Sequence, residues 1–177
     1  MSEFEFYSVA ISIVLALALG KLVSSIPSVF SRDRFDWVFG LFYVVALLGP
    51  LFHWKQVWKL HAHASWSMID FGLLMAPSIA LYLAIHVLIS DTPVQVVSWR
   101  DHFQRVHRWF FVAFLASLLT GQARDRVLVD DQIKWAVVLF GGFILVMGAV
   151  LERRTIHAIV GLLLVGFLGL QYWRDFA

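Results

Sequence analysis

Residues 66–90 read WSMIDFGLLMAPSIALYLAIHVLIS, and Asp70 is the only residue of this stretch that carries a formal charge. A helix rises about 1.5 Å per residue, so the hydrocarbon of a bilayer is crossed by roughly 20 residues. The polar residues Asp91 and Thr92 and the helix-breaking Pro93 then end the stretch. Its length and composition predict a transmembrane helix.

Five further apolar stretches extend this interpretation to the whole chain. The six predicted helices cover residues 6–27, 37–54, 66–90, 105–122, 133–151 and 155–173. Hydrophobic residues make up 60% of the 177-residue chain, which leaves too few polar residues to cover a soluble protein of this size. The sequence predicts an all-α, polytopic integral membrane protein: one domain, residues 1–177, folded as a compact bundle of six transmembrane helices with short loops. We expect it in the cell membrane as a multi-pass protein.

The fourth stretch leaves two topologies open. Only 15 uncharged residues separate Arg108 from Arg124, which is short for a span, so residues 105–122 either cross fully or form an interfacial segment. Lys and Arg are nearly balanced between the two sets of loops. The acidic start Met1–Glu5 carries no basic residue, so we expect a retained first helix and both termini outside.

The tryptophans support a membrane environment. Indole combines an apolar body with one N–H donor and favours the headgroup layer of a bilayer. Each of the eight lies at the edge of an apolar stretch: Trp37, Trp54, Trp58, Trp66, Trp99, Trp109, Trp135 and Trp173. The bilayer is therefore the first expected partner.

Small residues recur at every fourth position of the first helix. They are Ser8, Ser12, Ala16, Gly20 and Ser24. Residues at i and i+4 share a helix face, and in lipid such small side chains allow two backbones to approach closely. The pattern predicts a groove that holds another helix, either of the same chain or of a neighbouring subunit in a homo-oligomer.

Three ionisable residues lie at membrane depth, where charges are costly and often functional. Asp70 and His86 lie near opposite ends of the third predicted helix, and Lys21 lies late in the first. Two roles are open for Asp70: it pairs with a basic residue, or it lines a water-filled path. Lys21 either takes part in such a path or extends its long side chain so that the ammonium group reaches the membrane interface.

The remaining histidines match no compact metal-ligand spacing. They are His53, His61, His63, His102, His107 and His157. They are weak metal candidates, and we expect the first three to form a headgroup-contacting surface with the neighbouring tryptophans. A bis-His haem would need paired imidazoles at a common depth, and we expect no cofactor.

Catalytic and nucleic-acid-binding patterns are absent from the sequence. There is no cysteine, HExxH, GxSxG or P-loop, and the net charge of +2 is spread between the apolar stretches instead of forming a basic stripe. The paired carboxylates Asp130 and Asp131 are expected to cap the fifth helix. No nucleic-acid partner is expected, and an intramembrane enzyme is an alternative for which no nucleophile is apparent.

Three classes of function fit these features. A homo-oligomeric channel or transporter for protons, ions or small solutes ranks first, because Asp70 and His86 share one helix and soluble domains are absent. A non-conducting membrane assembly, sensor or effector subunit is the second class, and the small-residue groove favours it. A metal- or haem-binding membrane redox protein is the third.

Overall fold

The structure, a computed structural model, describes residues 3–62, 66–129 and 132–176, with the side chains of 3–61, 66–129 and 132–171. Six α-helices lie within these ranges: α1 (Glu3–Val29), α2 (Trp37–Trp58), α3 (Met68–Leu88), α4 (Trp99–Leu128), α5 (Trp135–Val150) and α6 (Arg154–Phe176). Short 3₁₀ turns follow α2 and α3, and the described ranges contain no strand. The predicted all-α class is confirmed.

The helices alternate in direction around α2, which packs against α1, α3, α4 and α6. Helix α5 packs between α4 and α6 on the side remote from α1. Helices α1 and α3 begin at one end of the bundle, and α4 ends there; we call this the terminal end. The opposite end, which holds the loops after α1, α3 and α5, is the loop end.

Four helices (α1, α2, α3 and α6) are long and apolar enough to cross a membrane. Helix α5 is apolar but has only 16 residues, and the 30-residue α4 carries charged residues in both of its end segments. The six-helix composition is therefore confirmed within the described residues. The crossing of a bilayer by all six helices remains a prediction.

Helix α4 is much longer than the predicted 105–122. The Ser98 side chain accepts a hydrogen bond from the backbone N–H of Asp101 at 3.3 Å and caps the helix. The helix then continues to Leu128, so the predicted end of the fourth helix at residue 122 is wrong. Helix α5 has Lys134 at its N-cap, whereas Asp130 and Asp131, predicted as its caps, lie outside the described residues.

The loop-end half of the bundle is filled by aromatic rings. We call this cluster the aromatic core; its members are Phe42, Phe103, Phe110, Phe111 and His157. Phe42 stacks on Phe103 with ring centroids 4.7 Å apart, and Phe111 meets Phe42 edge-on at 5.3 Å. Gly148 of α5 lies directly against the Phe111 ring, where a Cβ would come within 2.4 Å of a ring carbon. Only glycine lets α5 approach α4 this closely.

Polar contacts tie the loop-end segments together. The indole N–H of Trp99 donates to the backbone oxygen of Ser28 at 3.0 Å, and Trp99 is fully buried. Trp99 is thus a core residue, in contrast to its predicted interfacial position. Four other tryptophans lie exposed near helix ends: Trp37, Trp54, Trp58 and Trp135. Trp109 is also exposed, but it lies inside the long helix α4 and not at an end as predicted.

The outer surface is strongly apolar. Leu17 of α1 is 60% exposed, and Leu139 and Phe143, which lie one turn apart on the same face of α5, are 68% and 64% exposed. A soluble monomer rarely presents so much contiguous apolar surface, whereas lipid covers it without a hydration cost. This surface supports a membrane location.

The small-residue stripe of α1 turns outward along the helix. Four residues advance an α-helix by about 40° beyond a full turn, so the stripe winds around the axis. Ser8 and Ser12 are half-buried, whereas Ala16, Gly20 and Ser24 are exposed. A Cβ at Gly20 would meet no atom within 4 Å. The described chain leaves this part of the groove uncovered, and its occupation by a neighbouring subunit remains a prediction.

Candidate functional site

A cavity of about 140 Å³ lies in the terminal-end half of the bundle, between α2, α4, α5 and α6. Its inner part is apolar and reaches as far as Leu145 and Leu164, and its mouth at the terminal end is polar. The polar and charged lining residues are His53, Gln56, Ser117, Gln122, Arg124, Asp125, Lys134 and Gln171. A concave, mainly apolar space with a few convergent polar groups is the usual form of a small-molecule site.

Arg124 is the most unusual residue of this lining. It is 1% exposed, although its guanidinium group is permanently charged. Its Nε and Nη2 both donate to Oδ1 of Asp125, at 2.9 and 2.6 Å. Its Nη1 is buried and has no acceptor among the described residues. A buried donor on a charged group normally has a partner, because leaving it unpaired is costly.

The position of Arg124 follows from the periodicity of α4. The inward positions include Phe103, His107, Phe110, Ser117 and Gly121, at steps of three, four or seven residues. Continuing this pattern by three residues leads to Arg124, which therefore points into the bundle. Sequence reasoning missed this residue because it ended the helix at 122. The Ser98–Asp101 capping pattern and the continued periodicity were the available signals.

His53 lies on the opposite wall of the cavity, in α2. It is 8% exposed, and its Nε2 is 2.7 Å from the hydroxyl of Ser78 in α3. Its polar atom thus has a partner within the bundle. Of the predicted metal candidates that the structure describes, His53 is the one that lines this cavity.

The mouth of the cavity is held together by the ends of α4 and α5. The side-chain oxygen of Gln122 accepts a hydrogen bond from the backbone N–H of Lys134 at 3.1 Å. Ser117 donates to the backbone oxygen of Pro77 at 2.9 Å and so fixes α4 against α3. These contacts position Arg124 at the rim of an apolar space.

The predicted intramembrane residue Asp70 lies at the start of α3. It forms a capping box with Ser67: each side chain accepts a hydrogen bond from the backbone N–H of the other, at 2.8 and 3.2 Å. This arrangement stabilises the first turn of the helix. The role of Asp70 in a solute path remains a prediction.

Lys21 and His86 meet at the loop end. The Lys21 ammonium donates to Asp91 Oδ1 at 2.6 Å and to the backbone oxygen of His86 at 3.2 Å, and it lies 2.9 Å from His86 Nδ1. The side chain of Asp91 is 76% exposed. The structure thus brings two of the three predicted residues together, while Asp70 lies at the other end of α3.

The other histidines are dispersed. His61 is exposed and stacks on Trp58, His102 lies 3.0 Å from the backbone oxygen of Leu88, and His63 is outside the described residues. His107 and His157 form a ring pair in the loop-end half, with centroids 4.8 Å apart. No cluster of three or more metal-ligating side chains occurs among the residues that the structure describes.

His107 is the second described residue with an unpartnered buried side-chain atom. Its Nδ1 lies 2.8 Å from the backbone oxygen of Gln104 and is the donor, which leaves Nε2 as an acceptor without a donor. An imidazole ring carries no permanent charge, so its missing bond is less costly than the unpaired donor of a charged guanidinium. Arg124 therefore marks the more strained polar environment.

The chain matches no family model, no curated protein and no solved structure. Functional inference consequently depends on the residues themselves.

Proposed function

We propose that the protein is a multi-pass carrier of small anionic solutes in the cell membrane, and that it works as a homo-oligomer. The observation that supports the carrier is the cavity with the buried, incompletely paired Arg124 at its rim. The four long apolar helices and the apolar outer surface support the membrane location. Binding sites of secondary transporters lie near the bilayer midplane, between helices.

The shape of the bundle favours a carrier over an open channel. The cavity has a polar mouth at the terminal end, whereas the aromatic core fills the loop-end half. A solute that enters from the terminal end would therefore stop near the middle of the bundle. This one-sided access is what a single state of an alternating-access carrier requires.

Reconstitution tests the carrier directly. Proteoliposomes loaded with potassium chloride, nitrate or benzenesulfonate are diluted into a potassium-free buffer, valinomycin supplies the K⁺ pathway, and salt efflux is followed with a K⁺ electrode. We expect efflux of at least one salt to exceed that from empty liposomes and to fall in Arg124→Gln. The matched variant Arg126→Gln removes the same charge at an exposed position of α4 and should retain the flux. Efflux equal to that of empty liposomes for all three salts would exclude the carrier.

The earlier path prediction is tested in the same vesicles. If Asp70 and His86 line a proton or ion path, Asp70→Asn and His86→Ala will reduce proton flux measured with an internal pH dye. Unchanged proton flux in both variants would show that Asp70 and His86 do not line such a path and that their roles are the structural contacts described above.

The exposed stripe of α1 supports self-association as a second, separable property. Ala16, Gly20 and Ser24 offer a second copy a shallow surface on which two helices could approach closely. Gly20→Leu should lower the oligomeric mass measured by light scattering in detergent. Gly166→Leu, at an equally open glycine of α6, is the matched control. An unaltered mass in Gly20→Leu would exclude this face as the interface.

A further inference from the structure

We propose that the cavity binds a small apolar carboxylate, with its charged group on Arg124 and its apolar body along Leu118, Leu145 and Leu164. This assignment of a ligand class rests on the solute-binding role proposed above. Three properties of the cavity carry it: the unused donors of Arg124, the charge of its guanidinium group and the size of the apolar part.

The donors of Arg124 indicate a planar anion. A guanidinium group has five N–H donors, and Asp125 accepts only from Nε and Nη2. The two donors of Nη1 have no acceptor among the described residues, although the side chain is only 2% exposed. Carboxylates fit the flat donor arrangement of arginine, and a bound carboxylate would complete the hydrogen bonding of this group.

The charge of Arg124 favours an anion over a cation. Its guanidinium group lines the cavity, and the donors of its Nη1 have no acceptor among the described residues. A cationic ligand would be repelled by this group, whereas an anion would be attracted to it. His53 also faces the cavity, with a hydrogen bond to Ser78.

The size of the cavity limits the apolar body. An engineered protein cavity of about 150 Å³ lined by Leu, Ile and Phe takes up benzene. The present cavity of about 140 Å³ has a similar size, and its inner walls are also apolar: Leu81, Phe114, Leu118, Leu145, Leu164, Phe167 and Leu168. A body of about six carbon atoms therefore fits, and a sugar would leave its hydroxyl groups without partners.

Calorimetric titration of the detergent-solubilised full chain with sodium benzoate at pH 8 tests the ligand class, with empty micelles as the blank. We expect saturable binding of benzoate, and binding about tenfold or more weaker for benzyl alcohol, which has a similar shape but no charge. Benzylammonium should not bind. Equal affinity for benzoate and benzyl alcohol, or no saturable benzoate binding, would overturn the proposal.

Two variants test the position of the ligand. Arg124→Gln should weaken benzoate binding by about tenfold to a hundredfold, and Arg126→Gln on the exposed side of the same helix should not change it. Val137→Phe places a ring in the cavity lining without altering charge and should also abolish binding. Benzoate affinity that is unchanged in both Arg124→Gln and Val137→Phe would place the ligand elsewhere.

The outcomes for ligand and carrier are separable. Benzoate binding that depends on Arg124 without salt efflux would support the ligand class and overturn the carrier. Chloride or nitrate efflux that depends on Arg124, together with no benzoate binding, would support the carrier and overturn the ligand class.

Discussion

The two halves of this bundle differ in how they treat charged side chains. In the loop-end half, Asp36 pairs with Arg154 at 2.6 Å and the indole of Trp99 donates to Ser28, and the unpartnered buried atom there is Nε2 of the His107 ring. In the terminal-end half, Arg124 is buried beside a cavity with part of its guanidinium group unpaired. The loop-end half is arranged for stability, and the terminal-end half retains space and an unused charge.

Packing shows the same contrast. Gly148 touches the aromatic core so closely that a methyl group does not fit, whereas Gly121 on the cavity wall has no neighbouring atom closer than 4.0 Å to an added Cβ. Protein interiors are normally packed without such space, because each lost contact weakens dispersion attraction. Open space beside a buried charge therefore indicates a place for a ligand.

The largest expected effect on stability is the difference between alanine substitutions at Gly148 and at Gly121. Gly148→Ala should destabilise the protein by about 1–3 kcal/mol, because its methyl group would lie 2.4 Å from a carbon of the buried Phe111 ring. Gly121→Ala has room for the same methyl group and should stabilise α4 by about 0.5–1 kcal/mol through higher helix propensity. Thermal unfolding in detergent, followed by tryptophan fluorescence, measures both. Equal melting shifts for the two variants would remove the packing contrast between the halves.

Hydrophobic length and helix caps made most of the fold predictable from the sequence. The stretch 66–90 became α3 at Met68–Leu88, because apolar composition and the Ser67 cap act locally. The end of α4 was not predictable in the same way, since a charged residue such as Arg124 normally ends an apolar span. Its burial depends on Asp125 and on helices distant in sequence, which residue spacing alone does not specify.

The site was less predictable than the fold. Sequence reasoning selected Lys21, Asp70 and His86 because each interrupts an apolar stretch. In the structure Asp70 pairs locally with Ser67, and Lys21 reaches His86 and Asp91 on another part of the chain. The cavity requires four helices to leave a gap, and no single stretch of sequence records that gap. The inward periodicity of α4 and the Ser98–Asp101 capping pattern were the accessible signals.

The next largest effect on stability is expected at the Asp36–Arg154 ion pair of the loop end. Asp36 caps α2 by accepting a hydrogen bond from the backbone N–H of Phe39 at 2.9 Å, and it also pairs with Arg154 of α6. Asp36→Asn retains a capping oxygen and loses the ion pair, which should cost about 0.5–1 kcal/mol. Asp36→Ala loses both and should cost about 1 kcal/mol more. The difference between their unfolding free energies isolates the cap; equal values would mean that the cap contributes nothing.

The smallest effect is expected at Asp91. Its carboxylate pairs with Lys21 but is largely exposed, and water competes with such pairs. Asp91→Asn should therefore shift the melting temperature less than Asp36→Asn does, and salt should reduce the shift further. A melting shift as large as that of Asp36→Asn would show that the exposed Lys21–Asp91 pair stabilises the loop end as much as the Asp36–Arg154 pair does. Ion pairs would then stabilise the surface of the loop end as well as its interior. The terminal-end half would differ from it only through the unpaired donor of Arg124.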